Sequence, residues 1–134
     1  MTEAERAYLA GILDGEGCLA IYKQFQKATP IRAARWHFFP RVTVGNTRLE
    51  LLFWLKQKLG GAVNVNTKQI GRRKTGYRWT CSDRRAIEVI TLALPYLLLK
   101  RSQAELILSF RAKRISREDA FAQSSTLNRR GVEV

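Results

Sequence analysis

The strongest constraint on the fold is a succession of elements that occurs twice. A helical stretch is followed by two β-rich runs separated by a turn, and then the order begins again. Thr2 and Glu5 form a Thr-x-x-Glu capping box for a helix through Leu9, Ile12 and Leu13 that ends near Gly15 and Gly17. Residues 18–27 and 34–45 read as two strands of a hairpin, separated by Ala28-Thr29-Pro30. Leu49, Leu52, Phe53, Leu55 and Leu59 then recur at helical spacing, and Gly60-Gly61 stops that helix. A second hairpin follows over 62–70 and 77–82 around the basic turn GRRKTG. Asp83 is placed to N-cap a helix to about Ala93, and Pro95 to start another that runs to about Arg114. The order αββαββα predicts an α+β domain over residues 1–114, a four-stranded antiparallel sheet backed by helices on one face. Residues 115–134 are polar and read as a loosely ordered C-terminal tail.

Strand alternation assigns the faces of that sheet. Leu19, Ile21 and Phe25 share one side of the first strand, and Ala20, Tyr22, Gln24 and Gln26 the other. In the second strand Val42 and Val44 oppose Arg35, His37, Arg41 and Thr43. Val63 and Val65 oppose Asn64, Asn66 and Lys68, while Tyr77, Trp79 and Cys81 oppose Arg78 and Thr80. One face is therefore apolar, and the other is basic and rich in amides. Ordinary solvation explains many alternating strands, but here the charge is concentrated as well. Residues 17–82 hold thirteen Lys and Arg and one acid, Glu50, so +12 of the net +13 lies in about half the chain. Such self-repulsion calls for a polyanion. Arg, Gln and Asn are the side chains that read purine edges in a major groove. The expected nucleic-acid contacts are Tyr22, Gln24, Gln26, Arg35, His37, Arg41, Thr43, Asn64, Asn66, Lys68, Arg72, Arg73, Lys74, Arg78 and Thr80.

Several classes are excluded by the same residues. No apolar run approaches the roughly 20 residues of a membrane span, and the basic stretch reads as strands, not as a membrane-surface helix. The acidic opening Met-Thr-Glu-Ala-Glu is unlike a signal or transit peptide, so the expected location is cytoplasm, nucleoid or an organelle matrix rather than outside the cell. Cys18 and Cys81 are too few for a disulfide framework or a four-ligand zinc site.

Residues 9–17 read Leu-Ala-Gly-Ile-Leu-Asp-Gly-Glu-Gly. This segment resembles the signature of the LAGLIDADG homing endonucleases, with Leu9, Ala10, Gly11, Asp14 and Gly17 matching outright. The resemblance extends over about residues 5–113 through element order and through Leu94-Pro95-Tyr96-Leu97-Leu98-Leu99-Lys100, followed by Gln103-Ala104. One motif in 134 residues matches the branch that works as homodimers. The segment also makes sense physically. Glycine inside a helix costs about 1 kcal/mol relative to alanine, so Gly11 and Gly15, with Ala10, suit close packing of a second helix. Leu9, Ala10, Gly11, Ile12 and Asp14 are the expected dimer contacts. Asp14 and Glu16 sit at a helix C-terminus, where acids need a compensating cation. Oxygen-only ligands suit Mg²⁺, with Mn²⁺ or Ca²⁺ also able to occupy such a site. Two copies would bring two Glu16 side chains together. The resemblance further implies that the Gly15 carbonyl assists metal binding. It also implies that Lys100 holds the attacking water or stabilises phosphate charge, that Asn46 positions water and that Arg48 supplies a nearby positive charge. Glu16 stands where the signature has its second Asp, one methylene longer.

The function implied is a site-specific, metal-dependent double-strand DNA endonuclease acting as a homodimer on a long, partly palindromic target, of the kind carried by introns or inteins. Two other readings fit the charge: a maturase or DNA-binding regulator that keeps the fold without cutting, and a ribosome-type RNA-binding protein in which the motif is coincidence. The presence of both Glu16 and Lys100 favours the first.

Overall fold

The computed structural model describes residues 1–129. Helix α1 (Glu3–Glu16) starts on the expected capping box, with the Thr2 hydroxyl accepting from the Glu5 amide and the Glu5 carboxylate from that of Thr2. Two strands follow, β1 (Gly17–Gln26) and β2 (Arg35–Asn46), then α2 (Leu49–Leu59), β3 (Ala62–Thr67), β4 (Gly76–Ser82) and α3 (Arg84–Ala93). A 3₁₀ turn over Leu94–Tyr96 leads to α4 (Arg101–Arg111) and α5 (Arg117–Leu127). The four strands form one antiparallel sheet in the order β1-β2-β4-β3, so the second strand of each hairpin lies at the centre.

The register agrees with the faces read from alternation. Leu19 pairs with Val42, and Val42 with Cys81; Val44 pairs with Trp79, and Trp79 with Val63. On this side Leu19, Val42, Val44 and Trp79 are buried against Leu9 and Leu13 of α1, Leu52 and Leu55 of α2, and Ile90 and Ile107 of α3 and α4. Burying a side chain of this size is worth about 1.5–3 kcal/mol, so this layer fixes which face remains outward. The Trp79 indole N–H donates to the Gly60 carbonyl at 2.8 Å. Gly61, at φ +87°, passes so close to β4 that a Cβ would lie 2.6 Å from the Thr80 carbonyl oxygen. The Gly60-Gly61 stop is thus a requirement of packing as well as of helix termination.

Three expectations at the C-terminal side are corrected. The helix expected from Pro95 to Arg114 begins only at Arg101, because the Asp14 carboxylate accepts the backbone N–H groups of Leu98, Leu99 and Lys100 and holds them as a loop. Asp83 occupies the N-cap position of α3 but makes no side-chain cap; its backbone is left-handed at φ 57° and its carboxylate lies 3.8 Å from the His37 Nε2. The segment expected as a loose tail contains α5, capped by Ser116, whose hydroxyl accepts from the Asp119 amide. Ser124 accepts from the Ile21 N–H at 2.8 Å and Asn128 donates to the Leu19 carbonyl at 3.0 Å, so α5 covers the outer edge of β1. Residues 130–134 of that tail lie outside the described residues.

Candidate active site and nucleic-acid face

The last turn of α1 runs directly into β1, and Gly17 makes the junction possible. A Cβ there would stand 2.8 Å from both the Leu13 Cα and carbonyl oxygen. The helix end brings an unsatisfied set of carbonyls and a negative dipole end. Lys100 answers it: its Nζ donates to the carbonyls of Leu13 (2.9 Å) and Gly17. Partial burial pushes the Lys100 ammonium below the ordinary lysine range, opposed by the nearby Asp14 charge. The backbone of Lys100 is fixed at the same time by Asp14, so one carboxylate sets where this lysine stands.

Glu16 is exposed at the tip of the helix, and Asn46 at the end of β2 donates to its Oε2 at 2.9 Å. Asn46 is itself oriented, since its Oδ1 accepts from the Arg48 backbone N–H at 2.8 Å. The structure thus gathers Glu16, Asn46, Gly15 and Lys100 around one helix end. Arg48 joins through its backbone only: its guanidinium pairs with Glu50 at 2.9 Å and its side chain is 73 % exposed. Among the described residues no three His, Cys, Asp or Glu side chains come together to hold a metal ion. One chain offers Glu16 as a single hard oxygen donor with the α1 carbonyl end beside it. That donor set fits a Mg²⁺-class ion only if a second set is supplied from elsewhere.

The dimer contacts expected from sequence are divided by the fold. Leu9 and Ala10 are wholly buried in the chain's own core, so neither is available to a second copy, whereas Asp14 is half-buried and accepts from the 98–100 backbone. Gly11 and Ile12 remain, joined by Ala7, Tyr8 and Gly15 and by Leu51 of α2, along a groove of about 520 Å³ that ends at Glu16. Nothing lies within 4 Å of a Cβ built on Gly11 or Gly15. Tyr8 is 57 % exposed and packs edge-on against Trp54 at 5.2 Å. Ala7 and Tyr8 were legible in principle: with Leu9 and Leu13 facing the core, a period of 3.6 leaves positions 4, 7, 8, 11 and 15 outward.

The opposite sheet face carries the expected polar residues in register. Gln24 pairs with His37, Gln26 with Arg35, Thr43 with Thr80, and Asn64 with Arg78. Arg35 donates to the Gln26 side chain at 3.0 Å. A register shift at Val65/Thr67 takes Asn66 out of the ladder, yet Asn66 still lines a cleft of about 610 Å³ with Arg41, Asn64, Arg78 and Thr80. Ser82 and Arg85, which alternation did not single out, complete that cleft. Lys68, Arg72, Arg73 and Lys74 are exposed around the β3–β4 turn, closed by the Ile70–Arg73 bridge. The charge also proves more focused than the sequence count suggests. Lys56 and Lys58 belong to α2, and Lys58 pairs with Glu5 at 2.7 Å. Lys23 lies on the helix-side face, over the rings of Trp36 and Phe121.

No family model matches the chain, and no curated protein matches it. Solved structures do. The homing endonuclease I-CvuI, determined with its DNA target in the presence of calcium, is 21 % identical and superposes with a TM-score of 0.65 over 93 % of this chain and 78 % of that one. The archaeal intron-encoded homing endonuclease I-Vdi141I, complexed with DNA, is 15 % identical, with a TM-score of 0.70 over 97 % and 87 % of the two chains. The I-SmaMI LAGLIDADG homing endonuclease bound to cleaved DNA is 14 % identical, with a TM-score of 0.59 over 91 % of this chain but 42 % of its own.

Proposed function

We propose that this chain, which has the LAGLIDADG homing-endonuclease fold, is a site-specific, metal-dependent DNA endonuclease that acts as a pair of identical subunits. The observation that carries the reading is the convergence of Glu16, Asn46 and Lys100 on one helix end, beside an open small-residue groove and at the border of a basic sheet. Similar structures complexed with DNA lend it support. So does I-SmaMI, a LAGLIDADG homing endonuclease bound to cleaved DNA, of whose length this chain spans less than half.

A Mg²⁺-class ion bound by the Glu16 carboxylate and the Gly15 carbonyl would supply a water of lowered pKa and neutralise phosphate charge. The chain's own residues do the rest. Asn46 keeps the Glu16 carboxylate in one orientation, which a free glutamate at a helix end would not hold. Lys100 neutralises the negative end of α1 and would offer a proton-bearing Nζ to a phosphate bound at that end. Gly11, Gly15 and Ala7 allow a second α1 to approach closely, bringing a second Glu16 alongside the first. The two sheets would then lie along the duplex, with basic turns on phosphates and polar strands on base edges.

Recovery of cleaved duplexes from a random library in Mg²⁺ tests the reading. The wild type should yield one family of long, partly palindromic sites, and Glu16→Gln should bind the same sites while losing at least about 10²-fold in cleavage, the scale of an electrostatic catalytic group. Equal cutting by the variant would refute the catalytic assignment. Binding without any cutting by the wild type would favour the regulator reading.

A further inference from the structure

Arg41 stands at the middle of β2, between Ala20 of β1 and Ser82 of β4, on the polar face of the sheet. Its guanidinium carbon lies 4.7 Å from the Tyr22 ring centroid and 5.1 Å from that of Phe39. Those rings are a stacked cross-strand pair, 6.0 Å apart at 23°, and Phe39 stacks in turn on His37 at 5.3 Å and 14°. Phe39 is buried although it lies on the outward face, so the stack is a fixed platform. The Arg41 Nε–H donates to the Ser82 hydroxyl at 3.2 Å. None of the ion pairs among the described residues involves Arg41.

Each contact removes a freedom. The rings set the plane of the guanidinium, and Ser82 occupies the Nε–H edge. What remains is the pair of terminal NH₂ groups, two parallel donors on a half-buried stem that lines the cleft shared with Asn64, Arg78 and Thr80. A phosphate contact asks for reach and charge, which the exposed Lys68, Arg72, Arg73 and Lys74 supply at the hairpin turn. A clamped, central arginine has neither the reach nor the mobility for the backbone rails. It offers instead a planar two-donor edge, which matches the O6 and N7 acceptors of guanine; adenine sets a donor against it, and the pyrimidines lack the paired acceptors.

We propose that Arg41 is a specificity-determining residue that reads a guanine in the major groove, one in each half of the target, from a geometry set before DNA binds. The proposal rests on the DNA-binding reading above and deepens it by assigning one base to one side chain. Ser82, Tyr22 and Phe39 are its positioning residues.

Selection of bound duplexes from a random library, with the full chain, tests it. The wild type should require a guanine at one position in each half-site, preferred roughly 5- to 150-fold over other bases, the range of one bidentate contact. Arg41→Gln should lose that preference, moving it toward adenine, and leave the other positions unchanged; Arg41→Lys, which keeps the charge, should also relax it. Ser82→Ala should broaden the same position without abolishing it. Uniformly weaker binding by Arg41→Gln with an unaltered site profile would make Arg41 a phosphate contact and overturn the proposal. So would a profile in which no guanine position responds. Failure of the wild type to enrich any sequence would overturn the DNA-binding reading itself, and this inference with it.

Discussion

Asp14 and Glu16 are two residues apart and do different work. Asp14 faces back along the molecule and closes the 98–100 loop through three backbone N–H groups, across 84 to 86 residues of sequence. Glu16 faces out, with Asn46 as its partner. Substituting them should therefore separate stability from chemistry. Asp14→Ala leaves three amides without their acceptor and should cost about 2–4 kcal/mol in denaturant unfolding, with cleavage falling as Lys100 loses its position. Glu16→Gln should leave the unfolding midpoint nearly unchanged. A third acid, Glu5, is held down to a pKa of about 2, first by Lys58 and then by the Thr2 cap. A carboxylate depressed in the folded state stabilises fully above its unfolded value near 4.5 and loses that contribution as pH falls toward 2. Unfolding followed between pH 5 and 2 should thus be less steep in Glu5→Gln, which keeps the capping box but not the titration.

At the scale of elements, the two glycines of α1 and the one that caps it have different surroundings. Gly17 is closed in by Leu13, whereas Gly11 and Gly15 face open space. Gly17→Ala should destabilise the subunit by about 1–3 kcal/mol, as overpacking does. Gly11→Ala should leave the isolated subunit as stable or up to about 1 kcal/mol more so, while weakening self-association in sedimentation. If Gly11→Ala associates as well as the wild type, the groove is not the interface. Such differences mark how far the elements were legible. Both hairpins, the stop at Gly60-Gly61 and the two sheet faces follow from alternation and glycine placement, which are local. The end of the second leucine-rich stretch did not follow, because a carboxylate in α1 decides where α4 begins. Helix α5 was hidden because its buried positions are Ala120 and Ser124, not an apolar stripe. The small-residue face follows from the four-residue spacing of Gly11 and Gly15, but adding the adjacent Ala10 to it takes a buried residue for an outward one, where Ala7 is exposed.

Across the whole molecule, charge and chemistry occupy adjoining surfaces. The two hairpins carry ten of the thirteen basic residues of 17–82 and no acid, and the α1 end with Glu16 lies at their margin. Affinity for duplex DNA should fall steeply with salt, with log K linear in log salt. Neutralising Arg72, Arg73 and Lys74 together should reduce that slope by about three and leave site preference intact. A salt-independent affinity would remove the phosphate-binding role from the turn. Among the described residues no helix is long and apolar enough to cross a membrane. On the proposed reading each copy brings half a site: one carboxylate, one lysine and one open groove. The most direct measurement of that claim is subunit mixing. Wild type refolded with increasing Glu16→Gln, and assayed for double-strand cleavage with target DNA in excess, should lose linear product in proportion to the disappearance of wild-type pairs, with nicked product rising as mixed pairs form. Linear product that follows the amount of wild-type chain alone, indifferent to the added variant, would contradict it.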